Sequence, residues 1–119
     1  MVKKRKANNI MAQKSILSDT PERLIKKYKK VLTDSGIPVK RMILFGSYAK
    51  GKAKPWSDVD VCVVSPVFGK DGYDEMVKLK HLTGKVEDMI EPHPYHPDDL
   101  NDPFDPLAFE IRTHGKTIT

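Results

Sequence analysis

The succession of hydrophobic periods along this chain predicts one α/β (α+β) layer domain. Three observations carry that expectation. Leu24, Ile25, Tyr28, Val31 and Leu32 recur at helical spacing and form one apolar stripe. Two strand-sized runs follow, Val39 to Phe45 and Asp58 to Val64, separated by a small, polar and basic stretch. The chain's 119 residues suffice for one compact core without disulfide or structural metal, and not for two. No internal repeat or low-complexity tract breaks the order helix, strand, strand, helix, strand, helix.

Each element has a local reason. Residues 1–18 show no sustained periodicity and carry the basic run Lys3-Lys4-Arg5-Lys6. They are expected to be a flexible basic N-terminal segment or a short first helix, with the domain proper spanning 19–119. Asp19 or Thr20 can cap the first helix, Pro21 suits its first position, and Ser35-Gly36 with Pro38 stops it. In the first strand, Ile43 and Phe45 share one face while Met42 and Leu44 share the other. Apolar residues on both faces predict a strand covered on both sides. In the second strand Val59, Val61 and Val63 point one way, and Asp58, Asp60, Cys62 and Val64 the other. Gly72 to Leu82 is expected to be helical, with Tyr73, Met76, Val77 and Leu79 as its apolar set. Lys85 to Glu91 is expected as the third strand, after which Pro92, Pro94 and Pro97 should break regular structure. Leu107 to Arg112 can form a last helix that reaches the core through Leu107, Phe109 or Ile111 and ends at Gly115.

Charge narrows the function classes. The net charge of +5 hides a split: residues 1–54 carry 15 Lys+Arg against 3 Asp+Glu, and residues 55–119 carry 6 against 13. A split of this kind can steer an anionic ligand to one side while carboxylates opposite hold cations, although lysine-rich helix faces are more often simply solvated. No apolar run approaches the ~20 residues needed to cross a bilayer, and the N-terminus lacks the apolar core of a signal peptide. A single cysteine, Cys62, cannot form an internal disulfide. The expectation is a cytoplasmic protein without a membrane partner. Nucleic acid is a less favoured partner, suggested only by the basic tail.

The chemistry is concentrated in Gly46-Ser47-Tyr48-Ala49-Lys50-Gly51 and Ser57-Asp58-Val59-Asp60-Val61. A glycine and serine directly after a buried strand can turn the chain sharply into a helix whose first N–H groups face an anion. Ser47 adds a hydroxyl, Lys50 a positive charge, and Gly51 an end to that helix. Asp58 and Asp60, two residues apart on a strand, present both carboxylates on one face about 7 Å apart along the backbone. Their like charges call for a cation, and magnesium prefers a few carboxylates completed by phosphate oxygens. Glu87, Asp88 and Glu91 on the next strand are candidates for a third carboxylate. His93 and His96 have metal-ligand spacing but, among three prolines, read as loop residues. Tyr48 reads as a packing or substrate-adjacent residue, Cys62 as small apolar core, and Trp56 has no assigned role.

Taken together and in this order, Gly46-Ser47, a short helix ending at Gly51, and Ser57-Asp58-Val59-Asp60 closely resemble the signature of DNA polymerase beta-like nucleotidyltransferases. The match is to their minimal branch and spans roughly residues 20 to 117. The resemblance implies the nucleotidyltransferase fold, a mixed sheet with helices packed on one face. It implies that Asp58 and Asp60 bind two Mg2+ ions with a third carboxylate, for which Ile90-Glu91-Pro92-His93-Pro94 favours Glu91. It further implies that Gly46, Ser47 and Lys50 hold the phosphates of a nucleoside triphosphate, with ATP the expected donor. Lys50 stands where many relatives carry arginine, so it offers a point charge without the bidentate fork.

By the same resemblance, stand-alone minimal transferases often accompany a small HEPN-type toxin and act as its antitoxin. The implied activity is transfer of AMP to a hydroxyl acceptor, foremost a tyrosine on that toxin. An antitoxin that works mainly by binding and masking its partner is the alternative, and a small-molecule or RNA-end transferase a weaker one.

Overall fold

In the computed structural model, residues 16–119 are described, and most of the 1–18 segment therefore lies outside the described residues. Thr20 caps helix α1 (Pro21–Asp34) by accepting the Arg23 N–H, and Pro21 occupies the first turn. Leu24, Ile25, Tyr28 and Leu32 are fully buried, as their spacing requires. Gly36, at φ 88°, then turns the chain toward the sheet.

Four strands form one mixed sheet: β1 (Arg41–Phe45), β2 (Val59–Val64), β3 (Ile90–Tyr95) and the two-residue β4 (Lys116–Thr117). Their spatial order is β3-β2-β1-β4. β1 pairs antiparallel with β2 and β4, and β2 pairs parallel with β3. Between β2 and β3 runs α2 (Gly72–Thr83), and before β4 runs α3 (Pro106–His114), preceded by a 3-10 turn at Asp99–Asn101. This is a mixed sheet with three helices, as the sequence predicts.

The two sheet faces have different covers. Met42, Leu44, Val59, Val61, Val63 and Ile90 pack against α1 and α2, whereas Ile43, Phe45, Cys62, Val64 and Tyr95 pack against Ala108 and Ile111 of α3. Helices on one face describes α1 and α2; α3 takes the opposite face, as the two-sided apolar pattern of β1 demands. The Tyr28 hydroxyl donates to the Leu79 carbonyl at 2.7 Å and ties α1 to α2.

Three local expectations need correction. The third strand is not Lys85–Glu91 but Ile90–Tyr95, and it runs through Pro92 and Pro94. The Met89 and Tyr95 carbonyls accept from Val59 and Ser65 of the β2 segment, so odd-numbered residues of β3 face β2. Pro92 and Pro94 thus present their missing N–H to the open edge, where no ladder bond is lost. On α2 the buried residues are Leu79, Leu82 and Thr83, while Tyr73 and Val77 are exposed. Phe109 of α3 is exposed as well; Ala108 and Ile111 fill the core with Leu107 packed beside them.

Candidate active site

Gly46 leaves β1 with φ 74°, a left-handed conformation that glycine alone adopts freely. The following residues do not form the short helix that was expected. They make a run of turns closed by Ala49 and Lys50 N–H groups on the Gly46 carbonyl, at 3.1 and 3.2 Å, and Gly51 ends it at φ 71°. One turn carries little dipole, so any anion held here meets individual N–H groups rather than a helix end.

The registers bring the expected residues to one end of the sheet. Phe45 lies opposite Asp60 across the antiparallel pair, so the turn after β1 sits over the start of β2. Gly46 and the Asp60 carboxylate are in such close approach that a Cβ on Gly46 would overlap Asp60 Oδ2. Glycine is required there twice, by conformation and by contact. Asp60 also lies opposite Glu91 across the parallel pair, on the same sheet face, one strand spacing of about 4.8 Å away. Asp58 is exposed immediately before β2, whose entry is fastened by the Ser57 hydroxyl accepting the Lys54 N–H at 2.8 Å.

Of the three later carboxylates, only Glu91 stands beside Asp60. Glu87 accepts the Ser18 N–H and hydroxyl and the Met89 N–H, which hold its carboxyl below the usual range and turn it toward the start of the described chain. Asp88 is an exposed turn residue whose carbonyl, with that of Ile90, accepts the Lys80 ammonium at 2.9 and 2.7 Å. That lysine fastens the turn to α2 and so fixes where Glu91 starts along β3.

Two further side chains reach the site without having been singled out for it. His93 is not a loop residue: it lies on β3, two positions beyond Glu91 on the same face. Its Nε2 is 3.7 Å from Asp60 Oδ1, and its ring meets Phe45 edge-on at 5.1 Å. His96 points elsewhere, its Nδ1 accepting the Asp98 N–H. Glu110 of α3 pairs with Lys50 at 2.9 Å, and the ammonium holds its carboxyl below the usual range. The parity of His93 with Glu91 was readable once the strand was placed correctly; nothing in the sequence pairs Glu110 with Lys50. Beside His93 opens a cavity of about 420 Å³, whose wall includes Glu75, Asp99, Asp102 and Asp105.

Among the described residues no three carboxylate, imidazole or thiolate groups close around an ion by themselves. The donors gathered near Asp60 are hard oxygens from few residues. That set fits a magnesium ion that completes its shell with phosphate oxygens and water. Cys62 is buried in the sheet and its thiol is pushed up to about 12 by desolvation, so it stays protonated and inert.

At this end of the sheet a glycine turn packs on a strand pair that carries the Asp60 and Glu91 carboxylates. The nucleotidyltransferase domain family matches residues 25–112, and the chain belongs to that family. It is a nucleotidyltransferase, and it is similar to a candidate protein adenylyltransferase, MJ1379 of Methanocaldococcus jannaschii, with 34% identity over 59% of this chain and 68% of that protein. Among solved structures, it resembles a toxin–antitoxin complex crystallised with AMP-PNP (25% identity, TM-score 0.56, 82% of this chain and 72% of that one). The fold is also that of an MNT antitoxin chain from a complex with tri-AMPylated Shewanella oneidensis HEPN toxin (20% identity, TM-score 0.54, 84% and 72%). No helix among the described residues is long and apolar enough to cross a membrane.

Proposed function

We propose that this chain transfers AMP from ATP to a hydroxyl of a protein partner, foremost a tyrosine of a HEPN-type toxin, with release of pyrophosphate. One observation carries the reading: the Gly46 turn packs directly on Asp60, and Asp60 faces Glu91 across the β2–β3 register. A phosphate-binding turn and a carboxylate pair in contact are what nucleotidyl transfer needs. The AMP-PNP in one similar complex and the adenylyltransferase name of the relative support ATP as donor.

Gly46 and Ser47 would hold the β- and γ-phosphates through backbone N–H groups and the Ser47 hydroxyl, and Lys50 would neutralise their charge once released from Glu110. Asp58, Asp60 and Glu91 would hold magnesium, two ions by family resemblance, which when bound would neutralise the triphosphate and lower the pKa of the attacking hydroxyl. Glu91, half-buried at the start of β3, would accept the acceptor's proton as its oxygen bonds to the α-phosphorus and pyrophosphate leaves. A buried free thiol at Cys62 agrees with a reducing cytoplasm.

The test uses labelled ATP, magnesium and a co-expressed HEPN-type partner. Label should appear on the partner's tyrosine, and Asp60→Asn should abolish it without shifting the melting temperature by more than a few degrees. Unchanged labelling by Asp60→Asn would sink the scheme. A second reading, masking by binding alone, draws on the exposed Tyr73, Val77, Phe104 and Phe109, which offer apolar contact to a partner. A tight complex without label would favour it, and label on RNA would favour an RNA-end transferase.

A further inference from the structure

The Asp60 carboxylate is held from two sides. On one, Oδ2 lies against the backbone of Gly46. On the other, Oδ1 faces His93 Nε2 at 3.7 Å. That nitrogen is buried and has no hydrogen-bond partner. The ring cannot turn freely to find one, because Phe45 packs against it edge-on at 5.1 Å and an interplanar angle of 63°. A buried polar atom without a partner is costly, and Asp60 Oδ1 lies 3.7 Å away as an acceptor. The separation is longer than a hydrogen bond, but a shift of less than 1 Å would close it.

We propose that His93 is a positioning residue for Asp60. Its Nε2–H donates to Oδ1, fixes the plane of the carboxylate, and leaves Oδ2 presented toward the Gly46 turn and the nucleotide. The inference rests on the function proposed above. It gives His93 no role as a metal ligand, because Nε2 is buried and faces the Asp60 carboxylate. Groups that orient a ligating carboxylate are worth about 10- to 100-fold in metal affinity.

The test measures binding, so it does not require the acceptor. Full-length protein is titrated with a non-hydrolysable ATP analogue, with and without Mn2+, and the metal-dependent gain in affinity is compared among variants. His93→Phe keeps a ring of similar size without the donor, and His93→Gln returns an N–H at similar reach. We expect His93→Phe to lose about tenfold of the metal-dependent gain, with metal-free binding and the circular dichroism spectrum unchanged. His93→Gln should recover most of the loss. Equal losses in both variants, or none in His93→Phe, would overturn the positioning role. Asp60→Asn separates this inference from its foundation. If Asp60→Asn keeps the gain, the proposed site fails; if it loses the gain while His93→Phe does not, only the His93 inference fails.

Discussion

Gly46 concentrates two demands on one residue. Its positive φ strains any side chain, and its missing Cβ gives Asp60 room. Gly46→Ala should therefore cost about 1–3 kcal/mol in backbone strain and also displace the Asp60 carboxylate. Transfer should fall by at least about tenfold, since 1.4 kcal/mol of misplaced transition-state contact suffices for that. Rates and melting temperatures measured on the same preparation check both parts, and a fully active variant would show that the contact is dispensable. Lys50 makes a different point. Sequence presented it as a positive charge beside the turn, and the fold engages it with Glu110 from a helix 60 residues away in the chain.

At the scale of elements, α3 depends on Asp105. Its carboxylate accepts the Leu107 and Ala108 N–H groups at 2.9 and 3.2 Å and the Tyr95 hydroxyl at 2.7 Å, so it caps α3 and pins the end of β3. The tyrosine hydroxyl, then the backbone donors, hold the Asp105 carboxyl below its ordinary 3.8. A depressed folded-state pKa stabilises the protein above the unfolded value, and the contribution fades as pH falls through the folded one. Asp105→Ala should cost about 1–2 kcal/mol near neutral pH, and the melting-temperature gap to the parent should narrow below about pH 4. A gap that stays constant into acid would mean that the charge contributes nothing. The prolines of β3 teach the converse. Pro92 and Pro94 read as breakers because strand propensity assumes both edges are paired, whereas β3 pairs only with β2.

The whole molecule couples its two faces through the site. The Gly46 turn follows β1, α3 lies across the second face of the sheet, and Lys50–Glu110 joins them. Both partners are about one-third exposed, so the bridge itself should add little stability. Its effect should instead fall on ligand charge. Glu110→Gln frees Lys50 for the triphosphate, and nucleotide affinity should rise about two- to fivefold at low salt, with the gain vanishing as screening increases. Titrations at two ionic strengths check this, and weaker binding at low salt would show that Glu110 positions Lys50 rather than competing for it.

Sequence by itself determined the helix α1, the two apolar strands and the glycine turn at Gly46, because each rests on a period or a conformation that neighbours in the chain impose. Leu24, Ile25, Tyr28 and Leu32 could be read as one buried stripe before any partner was known. Tertiary structure decided the rest. The parallel register of β3 on β2 set Glu91, rather than Glu87 or Asp88, beside Asp60. The same register brought His93 to that carboxylate, and α3 brought Glu110 to Lys50. Those contacts join residues far apart in the chain, where sheet registry and helix docking, not local spacing, fix which side chains meet. The Gly46–Asp60 end of the sheet was visible in the sequence; what surrounds and orients it was decided by packing.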